Sequence, residues 1–300
     1  MKGILIAILT IVLFQPALAF ELGDSLSDDN IKNLVKMGNT AFAMRPLNGA
    51  SSKGTVFGIE AGLAAHGTDI KDLTEGTGQI PGFEDFPGPG YFPAPVVYLA
   101  VGVPFGLGLE VQGLYVPTMS GIGFYTFGGN LFWATDEVLK QVPGIGTVLS
   151  YIPGLFLSPR FTYSMYSLTL EQTVTQVDPA TGIAANGKAD ASISGATYGG
   201  NLCLSFKFPP AMSPISIELY SGAGFLSQSG EATANVMVTP ATPIPGGPAQ
   251  VSQEKTLDQS SSALHYYAGL QFKLFLFALT GEYDHLFDRD SYSGKLSLKF

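Results

Sequence analysis

The stretch SYSGKLSLKF, residues 291–300, decides how the rest of the chain is read. Tyr292, Leu296, Leu298 and Phe300 fall on one side of a two-residue period, and Ser293, Lys295, Ser297 and Lys299 fall on the other. The alternation runs to a terminal aromatic with no turn or cap behind it. It reads as a strand with one apolar face, and the question is what covers that face.

The same split recurs upstream. In TVFGIEAGLAAH, residues 55–66, Phe57, Ile59, Ala61, Leu63 and Ala65 oppose Glu60 and His66. In LGLEVQGLYV, residues 107–116, Leu107, Leu109, Val111 and Tyr115 oppose Glu110 and Gln112. Arg160, Lys207, Glu218, Lys273, Glu282 and Asp284 likewise sit opposite the large apolar residues of their own segments. A soluble sandwich also alternates, but it carries more surface charge than the 13% found here beside 46% hydrophobic residues. A transmembrane barrel inverts the geometry, with apolar side chains toward lipid and polar ones toward the lumen. The expectation is therefore an all-β chain, an antiparallel transmembrane β-barrel.

Ten strands are expected, near 54–66, 93–104, 107–117, 122–133, 154–170, 189–208, 214–230, 262–273, 276–287 and 291–300. Connections then alternate between outer loops (67–92, 118–121, 171–188, 231–261, 288–290) and inner turns (105–106, 134–153, 209–213, 274–275). Three of the five outer loops are long and three of the four inner turns are tight, and an even count returns the last strand to the inner side. Twelve strands is the alternative, if 231–261 folds back as a further hairpin. A short periplasmic helix is expected between strands four and five, where Thr135 or Asp136 caps Val138, Leu139 and Val142.

The N-terminus reads MKGILIAILTIVLFQPALAF: Lys2, an apolar run, then Ala17-Leu18-Ala19. This is the pattern of a signal peptide over 1–19, and the run is short of the ~20 residues of a spanning helix. Residues 20–53 form an N-terminal periplasmic segment with a helix in SDDNIKNLVKMGNTAF, either a cap or a plug entering the lumen, and 54–300 form the barrel. The location expected is the cell outer membrane.

The last strand resembles the C-terminal signature of bacterial outer-membrane barrels, in which Tyr292, Leu296, Leu298 and Phe300 would be the assembly signal read by the barrel-assembly machinery. The mature chain as a whole resembles a family of uncharacterised outer-membrane barrels of Bacteroidota-type bacteria. That resemblance rests on the N-terminal helix, GFEDFPGPGYFPAPVVYLAVGVPF at 82–105, LKQVPGIG at 139–146 and the last strand. More distantly it is similar to fatty-acid-transporter-type barrels, which have more strands. What the resemblance implies is fold, outer-membrane location and contact with outer-membrane lipid and lipopolysaccharide, not a set of substrate residues.

Chemistry is sparse. A net charge of -9 offers no basic stripe, so nucleic acid is not an expected partner. His265, Asp284 and Ser293 are placed on one row of neighbouring strands, but Asp is in the middle where a hydrolase needs His. No enzyme, cofactor or metal is expected, and GIAANGKA at 182–189 lacks the Ser or Thr of a phosphate loop. Asp69, Asp72 and Glu75 lack the spacing of a calcium loop. Cys203 reads as inert filling. The lumen-facing charges, Glu60, Glu110, Arg160, Lys207, Glu218, Lys273, Glu282, Asp284 and Lys295, are expected to pair across the interior, with Glu282 opposite Lys295. Three functions follow as expectations: gated or passive passage of small molecules, hydrophobic ones included; a non-conducting barrel that binds a ligand or partner through its outer loops; and, least favoured, a membrane-embedded hydrolase.

Overall fold

A computed structural model of the chain describes residues 28–51, 53, 57–71, 90–119, 121–135, 152–177, 184–209, 213–240 and 251–300. The expected signal peptide, the expected helix between strands four and five, and most of the expected loop 67–92 lie outside the described residues. Among the described residues one α-helix, α1 (Asp28–Ala41), precedes ten strands. These are β1 (Gly58–Asp69), β2 (Tyr91–Gly102), β3 (Leu107–Met119), β4 (Ile122–Trp133), β5 (Leu155–Val177), β6 (Ala184–Phe208), β7 (Ile215–Pro240), β8 (Val251–Leu274), β9 (Phe277–Leu286) and β10 (Arg289–Lys299). Each pairs antiparallel with its chain neighbours, and β10 pairs with β1 to close the barrel. Among the described residues no helix is long and apolar enough to cross a membrane.

The wall is built inside out relative to a soluble fold. Leu63, Leu131, Phe161, Leu202, Leu279 and Leu296 are each about half exposed on the outer surface. Glu60, Glu110, Arg160 and Lys295 are buried within. Lipid is the solvent that makes such a surface stable.

The count is ten, as expected, and the twelve-strand alternative falls away. Two other expectations are corrected. The described parts of 231–261 are not loop but extensions of β7 and β8, which stay paired out to Val238 opposite Val251. Residues 171–188 likewise continue β5 and β6 as far as Val177 opposite Ala184. Beyond the membrane both faces of a sheet meet water, so these extensions lose the alternation that marks a strand in lipid, and their Thr, Val, Ser and Ala residues read as loop. The β9–β10 turn is also displaced. It consists of Phe287 and Asp288, both in the left-handed region with φ 52 and φ 62, with Leu286 opposite Arg289. Glu282 therefore faces Ser293, and Lys295 faces Thr280, so the expected Glu282–Lys295 pair does not form. Phe-Asp lacks the Gly or Asn that normally signals such a turn; Phe287 takes the place because its ring is buried against Ala43, Leu226 and Leu286.

One seam is incomplete. β2 and β3 pair only from Val97 opposite Gly113 to Gly102 opposite Gly108, although both strands continue toward the extended end. Pro93, Pro95 and Pro117 lie along the unpaired part and bring no N–H to a ladder.

Candidate functional site: the lumen and the segment that fills it

A closed ten-stranded wall leaves an interior that side chains of the wall alone do not fill. Here it is occupied by the chain's own N-terminal segment. Residues 37–50 are buried, starting in the second half of α1 and continuing as an irregular stretch, FAMRPLNGA, at 42–50. Helix α1 sits toward the end where β5–β8 are extended, and the segment descends to the opposite end, where β1 begins.

At that lower end the contacts are polar and dense. Lys53 Nζ lies 3.0 Å from Glu60 Oε2 and 3.2 Å from Glu110 Oε1. Lys295 Nζ approaches Glu60 Oε1 at 2.6 Å and Lys299 Nζ approaches Oε2 at 3.5 Å. Asn48 ties the segment to the wall: its amide donates to Glu110 Oε1 at 2.9 Å and to the Tyr98 hydroxyl, and its Oδ1 accepts from Gln271 at 2.8 Å and Lys295 at 2.9 Å. Arg160 donates to the carbonyls of Asn48 and Gly49 at 2.8 and 2.7 Å. Glu218 accepts from Ser51 Oγ at 2.7 Å and Ser205 Oγ at 2.6 Å. Gly49 lets the segment lie against Glu218, since a β-carbon here would meet the carboxylate and one of the two would have to shift. Charges this deep are stable only because each finds opposite charge and hydrogen bonds together.

Toward the extended end the contacts turn apolar. Phe42 meets Phe124, Tyr166 and Phe92 with ring centroids 4.6, 5.1 and 5.8 Å apart, and Leu34, Met37 and Ile70 complete the cluster. The Tyr166 hydroxyl donates to the Val35 carbonyl at 3.2 Å, and its ring packs so close to Gly38 that no β-carbon fits there. At the mouth Lys36 Nζ binds Asp288 Oδ2 at 2.8 Å, beside a cleft of about 270 Å³ bordered by Asn33, Asp69, His285 and Arg289. The Lys36 hydrogen bond and charge hold the Asp288 carboxyl below the usual aspartate range.

The charged residues singled out in the sequence fall as follows. Glu60, Glu110, Arg160, Glu218, Glu282, Asp284 and Lys295 are buried in the lumen, and Lys207 and Lys273 are half-buried near its lower end. His265, Asp284 and Ser293 do not come together as one constellation. His265 Nε2 binds Asp284 Oδ2 at 2.6 Å, whereas Ser293 Oγ binds Nδ1 of a different histidine, His66, at 2.9 Å. Barrel closure causes this: β1 lies beside β10 with His66 opposite Ser293, a pairing invisible when strands are matched only through their hairpins. Cys203 is a buried free thiol. Among the described residues no group of three His, Cys, Asp or Glu side chains is placed to hold a metal ion. Tyr292, Leu296, Leu298 and Phe300 all point out of the wall, and the Phe300 backbone exchanges hydrogen bonds with Ile59 on β1.

No family model matches the chain, and no curated protein matches it. Among solved structures, the toluene transporter TbuX of Ralstonia pickettii aligns over 84% of this chain and 91% of its own, at 10% identity and a TM-score of 0.30. The translocator domain of the autotransporter NalP from Neisseria meningitidis aligns over 83% and 90%, at 10% identity and 0.33. Ail, the attachment invasion locus protein of Yersinia pestis, aligns over 81% and 97%, at 13% identity and 0.26. At these TM-scores the similarities carry no argument, and the functional reading rests on the wall and lumen.

Proposed function

We propose that the chain is an outer-membrane barrel whose lumen is a gated passage for small molecules, closed at rest by residues 34–53 of its own N-terminal segment. One observation carries this reading. The segment is joined to the wall by side-chain hydrogen bonds and ion pairs to β1, β3, β5, β7, β8 and β10, and its described residues contribute no strand to the sheet. Such contacts can be broken without opening the wall. The apolar outer surface and the signal-peptide pattern support export and insertion, with lipopolysaccharide and lipid around the wall and the last strand handed to the barrel-assembly machinery. The test is single-channel conductance in a planar bilayer, for the mature chain and for a variant lacking residues 20–53. Frequent discrete steps in the truncated form, with few or none in the mature chain, are expected. Silence from both, with folding shown by a heat-modifiable gel shift, would replace the passage with a non-conducting ligand- or partner-binding barrel.

A second reading is favoured by the incomplete seam. The unpaired halves of β2 and β3 stand between lipid and the Phe42 cluster, because Phe92 and Ala94 of β2 belong to that cluster. In this reading apolar molecules exchange with the membrane sideways. A disulfide staple between Val96→Cys and Leu114→Cys would then slow uptake of an apolar fluorophore from lipid into the barrel. Unchanged uptake in the stapled form would exclude the route.

A further inference from the structure

The wall cations and the wall anions are not spread evenly along the lumen. Arg160, Lys295 and Lys299 reach the segment's end near Asn48 and Glu60. Two carboxylates on β9, Asp284 and Glu282, lie higher, buried to within 1% and 4% exposure. The residue that brings permanent positive charge to Asp284 is Arg45 of the plugging segment, itself 0% exposed, with Nη2 3.4 Å from Asp284 Oδ1. Around the carboxylates stand His265, bound to Asp284 Oδ2; Tyr220, donating to Glu282 Oε2 at 2.9 Å; and Ser291, accepting from Arg45 at 2.9 Å.

The fit of Arg45 is loose for a permanent ion pair. A guanidinium committed to a carboxylate normally binds it through two parallel hydrogen bonds. Arg45 instead spends its donors on the carbonyls of Thr40, Ala41 and Ala43 in its own segment, and makes no hydrogen bond to Asp284 Oδ1. Glu282 Oε1 is also buried without a donor. Two buried carboxylate oxygens, Asp284 Oδ1 and Glu282 Oε1, thus have no hydrogen-bond donor in the closed state, an arrangement costly enough to need a reason.

We propose that Asp284 and Glu282 form a binding site for a small organic cation, a guanidinium or primary amine, and that Arg45 fills it as a tethered stand-in while the passage is closed. The inference rests on the gated-passage reading and names the ligand class of that lumen. A free cation that satisfies the oxygens Arg45 leaves open competes with it, and because that cation binds only when Arg45 withdraws, it shifts the segment toward the displaced state.

The probe is agmatine, with uncharged N-butylurea as control, on the refolded mature chain in detergent. By calorimetric titration, Arg45→Ala is expected to bind agmatine at least about tenfold more tightly than the unsubstituted chain, since one charged contact of this kind is worth that much. Asp284→Asn in the same background is expected to abolish the binding. A folded Arg45→Ala protein that ignores agmatine, or takes N-butylurea equally well, overturns the proposal. If Arg45→Ala does not fold, Met44→Cys in the otherwise unaltered chain carries the test. Its labelling by a thiosulfonate should rise several-fold with agmatine and not with N-butylurea, and equal rates overturn the proposal. Failure of the passage is read separately: agmatine binding with silent bilayers refutes conduction alone, and current steps indifferent to agmatine refute the site alone.

Discussion

The lower and upper halves of the lumen hold the same N-terminal segment by different physics. Below, Asn48, Ser51 and Lys53 sit among Glu60, Glu110, Arg160, Glu218 and Lys295, held by directed hydrogen bonds and ion pairs. Above, Leu34, Met37 and Phe42 sit among aromatic rings. Directed contacts fix position and fail abruptly when one partner is lost, whereas apolar packing fails in proportion to the surface lost. A segment anchored in both ways has a rigid foot and a more adaptable head.

The largest expected effect comes from breaking the foot. Glu60→Ala removes the carboxylate shared by Lys53, Lys295 and Lys299 and strands buried cations. The cost should be about 3–5 kcal/mol, read as a lower urea midpoint of the barrel in detergent. A loss no greater than that of an exposed substitution would mean water already reaches this cluster, and the contrast between the halves would fall. Phe42→Ala should cost about 3 kcal/mol through the cavity it leaves. Because Glu60 is held by Lys53, Lys295 and Lys299 whereas Phe42 packs on Phe92, Phe124 and Tyr166, the double variant should lose the sum to within about 0.5 kcal/mol; a clear departure would show the halves to be one cooperative unit.

A smaller effect separates position from stability. Gly49→Ala forces the segment away from Glu218 and should cost about 1–3 kcal/mol. Its sharper readout is conductance: the foot is displaced while the wall is untouched, so current steps should become more frequent than in the unsubstituted chain. Unchanged silence would place the seal in the aromatic half instead.

How much of this was legible in the sequence differs between wall and plug. Strands that meet lipid announce themselves, because Leu63, Leu109 or Leu296 must alternate with Glu60, Glu110 or Lys295, and the number and antiparallel order of strands follow from that alternation. The outer parts of β5–β8 gave no such signal, since nothing there separates a lipid face from a water face. FAMRPLNGA, at 42–50, has no period at all. Its residues are covered from every direction, so no face is distinguished, and only the single Arg45 in an otherwise uncharged run hints that it meets an anion. The partners within the lumen were the least legible part. Glu60 with Lys295 and His66 with Ser293 depend on β1 lying beside β10, and a one-residue displacement of the turn to Phe287–Asp288 shifted the β9–β10 register by two residues and changed every contact predicted across it.

The smallest effect tests the head at its exposed rim. Lys36 and Asp288 form an ion pair at the mouth, with the Asp288 side chain 88% exposed, so solvent and salt screen it strongly. Asp288→Asn should change stability by well under about 1 kcal/mol. The pH dependence has a definite sign. The Asp288 carboxyl is held below its ordinary value by Lys36, so the folded state binds this proton less readily than the unfolded state. Its contribution is present above the usual aspartate range and is lost as pH falls through the lowered value. The midpoint difference between the unsubstituted chain and Asp288→Asn should therefore shrink toward zero in acid, and shrink again in high salt at neutral pH. If the difference instead persists in acid, Lys36 is holding the head by something other than charge, and the rim belongs with the directed contacts of the foot.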